Sequence, residues 1–472
     1  MSRSHQRWMG LLRLWWRTRH ARGRRDAGAA LRAIARGAQD AVGLRLRGQH
    51  ILLVLDPELA GQLLSGHAAD TIKGPGVQRT RALLGDGLLT SEGASHDRAR
   101  RLVAPAFSPR RLDRYTATFA HITQTRMAGW RDGQQMDMHA EMAALTLEIV
   151  GQSLLGIDLS PQAARVRAGL EATLSEFADS QAALPGLGRL RFPPAPRAAP
   201  APRAAPQAAI HQLVDDISEQ RRKNPAADRG DVISALLAAT AEPGGLTDGE
   251  VHDHVITLMM AGHETTASAL AWTLHLLGRH QDVQRRLQAE VGTLGGRPPG
   301  FGDLAALRYT RAVISEAIRL YPPAWLIGRT TTADLKLGGW QLPAGSIAVV
   351  SPLLLHHDPR WFPDPETFDP GRWLDPGRQA APRHAYLPFG TGPRACIGEQ
   401  FAWAEATTVL AVLAQTWAFG AVPGFRATVQ YRVTLRPAAG LPVLLHARGG
   451  APAERVLRPV HLRRAVDRGG TG

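Results

Sequence analysis

Residues 41–55, AVGLRLRGQHILLVL, alternate between apolar and polar and then run apolar, with Arg47-Gly48-Gln49 between the halves. Period-two alternation interrupted by a glycine predicts a β-hairpin. Asp56-Pro57 follows, an acid cap with proline in the first turn, and predicts a helix start. Glycine and proline punctuate residues 73–93, which predicts a loop, and SEGASHDRARRL (91–102) returns to a helical pattern. From Asp137 to Leu155 an apolar stripe through Met142, Leu145, Ile149 and Leu154 predicts a core helix. Residues 192–206, FPPAPRAAPAPRAAP, contain PRAAPA, and PRAAPQ follows it, ending at Gln207. A proline-rich repeat of this kind is no continuous helix and reads as part of a lid, as a surface linker or as a docking motif.

The longest helical pattern begins at Thr247-Asp-Gly-Glu250, a capping box. It meets no breaker except Gly249 and Gly262 until Gly278, so about 30 residues would span roughly 45 Å. At its centre lies AGHETTA, residues 261–267. Glu264, Thr265 and Thr266 stand there amid Leu258, Met259, Met260, Ala267 and Leu270. Polar groups in a buried helix are costly unless something polar faces them or water satisfies a kink. Further on, SEAIRLYPP places Glu316 and Arg319 at i, i+3 before a double-proline stop. RVTLRPAAGLPVLL (432–445) reads as strand, turn, strand.

Charge changes the picture mainly at the ends. Fifty-six basic against 41 acidic side chains give +15, a balance that by itself suggests nucleic acid or an acidic surface. Residues 1–25 carry eight arginines and no acid, and residues 448–472 carry six arginines with Glu454 and Asp467, so 12 of the 15 charges are terminal. Nucleic acid is therefore not expected as a partner. In the N-terminal segment Trp8, Leu11, Leu12 and Trp15 recur at helical spacing among Arg7, Arg13 and Arg17. Residues 7–17 thus read either as a helix lying on an anionic membrane surface or as a frayed extension. No apolar run reaches the length of a membrane span.

Cys396 is the one cysteine in 472 residues. A single thiol makes no internal disulfide, and a zinc site needs more ligands. It is an inert core thiol or a lone ligand, and its setting, FGTGPRACIG (389–398), favours the ligand. Gly390, Gly392 and Gly398 let the backbone approach a flat partner. Arg394 offers a planar fork of donors to a carboxylate. The helical run after Cys396 would lower the thiol pKa through its N-terminal amides.

Phe389, Gly392, Arg394, Cys396 and Gly398 match F-x-x-G-x-R-x-C-x-G, and here the chain resembles the cytochrome P450 haem-thiolate family, of the soluble bacterial type. The resemblance covers about residues 41–447 with further motifs in the same order. It implies a mainly α fold with a small β portion, with haem b between the long central helix and the helix after the cysteine loop. Cys396 would be the axial iron ligand. His96, Arg100, Arg329 and Arg394 would neutralise the haem propionates. Gly262 would allow close approach where dioxygen sits, Thr265 would hold the bound oxygen, and Glu264 would relay protons from solvent. Glu316 and Arg319 match E-x-x-R and would lock to Arg372, although the glutamate usual before this arginine is Gly371 here.

The organisation implied is a basic amphipathic extension (1–30), a haem-thiolate monooxygenase domain (31–447) and a basic, disordered tail (448–472). The activity implied is hydroxylation or epoxidation of an apolar small molecule, resembling a terpene, polyketide or fatty acid, as in secondary metabolism. Electrons would come from a separate ferredoxin or flavodoxin with its reductase, docking on a basic face that Arg394 helps to form. A cytoplasmic monomer is expected, peripheral at the inner membrane surface if residues 7–17 bind lipid. Loop residues 73–89, the lid at 175–210, residues 324–328 and Leu441 would shape the substrate pocket. A haem protein that carries ligand without turnover, or an isomerase or dehydratase branch of the family, are the alternatives to an oxygenase.

Overall fold

The computed structural model describes residues 27–46, 48–159, 162–182, 204–223, 231–375, 377 and 381–448. The amphipathic segment 7–17, the terminal tail from 449 and most of the proline-rich repeat lie outside these residues. Only Ala204–Pro206 of that repeat are described, opening a helix.

In chain order the elements begin with α1 (Ala27–Ala35), β1 (Ala41–Leu46), β2 (Gln49–Val54), α2 (Pro57–Gly61), β3 (Thr71–Lys73), α3 (Pro75–Leu84), α4 (Gly93–Val103) and α5 (Pro109–Met127). Next come β4 (Gln135–Asp137), α6 (Met138–Val150), α7 (Ala163–Ala182), α8 (Ala204–Lys223), α9 (Val232–Ala238), α10 (Asp248–Arg279), α11 (Gln281–Gly292) and α12 (Arg308–Leu320). Then follow β5 (Ile327–Thr331), β6 (Leu335–Leu337), β7 (Trp340–Leu342), β8 (Ile347–Val350), α13 (Pro352–His356), α14 (Glu399–Thr416), β9 (Trp417–Ala421), β10 (Val429–Tyr431), β11 (Leu435–Pro437) and β12 (Pro442–Ala447).

The predicted hairpin forms, with Leu46 opposite Gln49 and Gly48 in the left-handed region at φ 83°. From Ile51 its second strand is apolar because that part is buried on both faces: Ile51 and Leu53 join one core cluster, Leu52 and Val54 another. β2 pairs in parallel with β8, and the sheet runs β1-β2-β8-β5-β3. A second sheet, β4-β12-β9, and two small ribbons, β6-β7 and β10-β11, complete the β portion.

One expectation changes. Residues 75–84, PGVQRTRALL, are not loop but α3. Pro75 occupies the first turn, where its missing N–H costs nothing, so here proline starts a helix instead of breaking one.

The central helix α10 spans 32 residues, roughly 48 Å. Its capping box is as expected: Thr247 Oγ1 accepts from the Glu250 amide at 3.2 Å, and Glu250 Oε2 accepts from the Thr247 amide at 2.8 Å. Past the AGHETT stretch every face of α10 is covered, since Ala267–Gly278 are all buried. Trp272 stacks on Tyr321, ring centres 3.8 Å apart.

Candidate active site

The cysteine loop is a tight turn seated on the segment after α2. The Cys396 amide donates to Phe389 O at 2.9 Å and the Ala395 amide to Gly392 O at 3.0 Å. Gly392 has φ 75°, and a Cβ there would fall 2.4 Å from Leu64 O, so both conformation and space require glycine. Phe389 packs edge-on against Trp403 of α14, centres 5.5 Å apart. Gly398 caps α14.

Cys396 is solvent-accessible, yet its thiol is enclosed by protein on nearly all sides, so the access is to an internal cleft. Burial pushes the thiol pKa up, and the Gly398 amide opposes this only in part. This corrects the expectation that the helix amides alone favour a thiolate. Desolvation outweighs them, and a stable thiolate here needs a cation. A matching exposure appears on α10, where Ala261 is exposed and Thr265 half-buried in the middle of an otherwise buried helix.

Cations gather near this loop. Arg394 Nη1 donates to Ser91 O at 2.8 Å, and its Nη2 pairs with Glu92. Lys73 Nζ, buried, donates to Leu88 O at 2.8 Å and Ser91 O at 3.1 Å. Arg100 Nη1 donates to Ala395 O at 2.8 Å. Arg329 is 8% exposed and donates to Gly328 O at 3.0 Å; no carboxylate of the described residues lies within salt-bridge distance of it. Burial and the Arg394 charge lower the Arg329 pKa to about 10 and that of Lys73 to about 7.

His96 is buried beside this group, with Nδ1 3.2 Å from Asp97 Oδ1. Burial lowers its pKa to about 4. It is therefore neutral at pH 7 in the haem-free protein, where its ring can still supply a hydrogen bond. Lys73 lies in the same group, its pKa lowered by burial to about 7. Sequence reasoning passed over Lys73, although it is one of only three lysines in an arginine-rich chain.

Arg394 also departs from one of its expected roles. Its side chain is 12% exposed and turned inward to Glu92, so it offers nothing to a docking face.

The two threonines of AGHETTA separate. Thr265 is the half-exposed one, and its Oγ1 donates to Ala261 O at 2.6 Å. Thr266 is buried towards Glu405 of α14. Glu405 is fully buried, and burial holds its carboxyl well above the usual range. Glu264 is buried, with Oε1 accepting from Thr434 Oγ1 at 2.7 Å and Arg436 Nη1 at 3.3 Å. Gly262 faces α6. A Cβ on it would lie 3.2 Å from Val150 Cγ2 and 3.8 Å from Leu154 Cδ1, so its bare Cα lets α10 pack closely on α6. Leu441 is fully buried where β12 meets α6.

The scaffold triad is complete. Arg319 bonds both oxygens of Glu316 at 2.9 Å, Arg372 Nε reaches Glu316 Oε1 at 2.9 Å, and Trp373 Nε1 reaches Oε2 at 2.9 Å. In place of the missing side chain at Gly371, the Asp369 amide donates to Glu316 Oε1 at 3.1 Å.

The cytochrome P450 family model matches residues 12–426. This chain belongs to the cytochrome P450 family. Among curated relatives it is 40% identical to cyclooctatin synthase of Streptomyces melanosporofaciens, over 85% of this chain and 88% of that one. It is 39% identical to cyclooctat-9-en-7-ol 5-monooxygenase of the same organism, over 82% and 83%. It is 36% identical to the pentalenene oxygenase of Streptomyces avermitilis, over 87% and 88%. Among solved structures it superposes on the cytochrome P450DA heme domain with a TM-score of 0.78 at 25% identity, covering 92% and 95%. The P450 is thus a haem-dependent monooxygenase that acts on a small molecule. No helix of the described residues is long and apolar enough to cross a membrane.

Proposed function

We propose that this P450 hydroxylates a terpene, with haem b as its cofactor. The observation that carries the cofactor assignment is the imbalance of buried charge. Lys73, Arg100, Arg329 and Arg394 converge near Glu92, with Asp86 and Asp97 further out, and Arg329 has no carboxylate partner among the described residues; a buried guanidinium without a carboxylate is a costly arrangement unless an anion completes it. Two propionates supply that charge, and the enclosed yet accessible thiol of Cys396 supplies the iron ligand. Because the chain's one cysteine is committed to the iron, no thioether can attach the cofactor covalently, which favours haem b.

When bound, the haem provides activation of dioxygen and insertion of one oxygen atom into a substrate C–H bond. The protein's own groups orient and protonate. Arg329, Arg394, Arg100 and Lys73 would fix the propionates by charge, and His96 by a neutral hydrogen bond. Thr265 Oγ1, now donating to Ala261 O, faces the cleft and would orient the reacting oxygen. Glu264 would carry the proton. The terpene assignment rests on the names of the relatives. A ferredoxin or flavodoxin with its reductase would deliver the electrons.

The test has two stages. The reduced protein should give the red-shifted carbon monoxide band of a thiolate haem, and Cys396→Ser should lose it. Cyclic terpene hydrocarbons and alcohols should then shift the haem spectrum saturably and take up one labelled atom from ¹⁸O₂. Saturable shifts with fatty acids alone, and none with terpenes, would refute the substrate class.

A further inference from the structure

A pair of histidines joins α8 to the central helix α10. Nδ1 of His211 on α8 lies 3.4 Å from Nε2 of His252 on α10, and the two rings are inclined by only 17° with centres 5.1 Å apart. Both are half-buried. Ring nitrogens that face each other attract only when a single proton stands between them, because two bare lone pairs repel and so do two N–H groups. One added proton makes the donor charged and the bond stronger. A second puts an N–H on both facing nitrogens and a positive charge on both rings.

The surroundings favour one charge and oppose two. Asp215 Oδ1 is 3.6 Å from His252 Nε2, and Asp253 Oδ1 is 3.4 Å from His252 Nδ1, so both carboxylates favour a proton on His252. Asp253 Oδ2 also accepts from the Asp86 amide at 2.7 Å, and Asp86 pairs with Arg81 of α3 at 2.9 Å. The pair is thereby tied to the segment after α3. α7 also packs on α8, but none of its described residues places a charged group within ion-pair distance of either ring. A second polar link between α8 and α10, Arg222 to Asp248 at 2.6 Å, does not titrate near neutrality.

The two rings respond to pH with opposite signs. The hydrogen bond to Asp253, above all, raises the His252 pKa from 6.5, whereas burial and then the His252 charge lower that of His211. A histidine with a lowered pKa binds its proton less readily in the folded chain, so the contact weakens as pH falls below 6.5; the stabilisation from the raised one is lost as pH climbs above that value. The contact is firmest between the two.

We propose that His211 and His252 form a one-proton latch that holds α8 on α10 and releases it in acid. α8 overlaps the segment 175–210 expected to cover the substrate pocket, so its release widens the entrance to the cleft at Ala261 and Thr265. This second half rests on the lid reading of that segment.

The experiment uses the full-length holoprotein with His211→Phe, His252→Gln, the double variant and, as a control, Arg222→Gln. Two quantities are followed from about pH 5 to about pH 8. One is amide hydrogen exchange of α8, corrected for the chemical exchange rate at each pH, with α5 as internal reference. The other is the rate of carbon monoxide rebinding after photolysis of the reduced adduct. In the parent, α8 protection should peak near pH 6.5 and fall about tenfold towards acid, with α5 unchanged, and carbon monoxide rebinding should quicken over the same range. Each single variant should lose the acid fall, since two facing charges no longer form, and the double variant should add nothing to the singles. Arg222→Gln should lower protection by the same factor at every pH. A parent profile flat in pH, an acid fall that α5 shares, or one that persists in the double variant overturns the latch. Carbon monoxide rebinding that stays constant while α8 opens defeats instead the lid reading on which the second half rests.

Discussion

Two groups of buried charge in this P450 are settled in opposite ways. Around Glu316, two arginines, an indole N–H and a backbone amide saturate one carboxylate, and Arg319 directs its remaining donors to His356 O, Pro365 O and Thr367 O. Nothing is left over. Around Arg329 the pairing is incomplete: Arg329 has no carboxylate partner among the described residues, and it, Lys73 and Arg394 all have their pKa lowered by burial. The first group is closed and can only hold the fold; the second is open and must be completed by something else. Buried charge alone does not mark a functional site, but buried charge left unbalanced does.

Breaking the closed group should have the largest effect. Glu316→Ala leaves Arg319 and Arg372 buried without their carboxylate, a loss of about 3–5 kcal/mol. Denaturant unfolding of the haem-free protein should show it directly, and haem incorporation should fall with it. A stability change under about 1 kcal/mol, the range of an ordinary surface pair, would mean that the triad is not the fold's lock.

The open group should respond with opposite signs. Arg329→Met removes a buried cation that has no carboxylate, so the haem-free protein should be as stable as the parent or more so. The holoprotein, by contrast, should release haem to apomyoglobin about tenfold faster or more. Equal destabilisation of both forms would make Arg329 scaffold. Lys73 sharpens this through pH. Its pKa falls from 10.5 to about 7 on folding, so between these values the unfolded chain binds more protons. The haem-free protein should therefore gain stability as pH rises from about 7 towards 10.5, at most about 1.4 kcal/mol per pH unit. Lys73→Met should flatten that slope, and bound propionates should shrink it.

How much of this was legible in the sequence follows from what each signal depends on. The hairpin, the capping box, the 32-residue helix, the cysteine loop and the Glu316 triad rest on local spacing or motif order, and all are found. The misread segments rest on which way a side chain turns. Pro75 looked like a breaker because composition does not say that it stands in a first turn. His96 is neutral in the haem-free protein because burial lowers its pKa to about 4, which spacing does not show. Lys73, Glu92, Thr434 and Arg436 come from distant strands and loops, and no spacing brings them to the residues they meet. A lysine retained in an arginine-rich chain was the one signal on offer.

Gly262 separates the two kinds of reading with the smallest effect. If its place is contact with α6, then Gly262→Ala puts a methyl 3.2 Å from Val150 Cγ2, a crowding of about 1 kcal/mol that the gain in helix propensity, also about 1 kcal/mol, nearly offsets. Net stability should change by less than about 1 kcal/mol. The informative term is the coupling: Val150→Ala makes room for the methyl, so the double variant should be more stable than the sum of the two single changes, as measured by a double-mutant cycle in denaturant. The carbon monoxide band should not move, because the methyl points at α6 and not into the cleft. A shifted band with no coupling to residue 150 would return Gly262 to the oxygen groove. In that case the rule drawn from the charged groups would need a companion for glycines, since the same missing side chain would be serving a ligand instead of a helix.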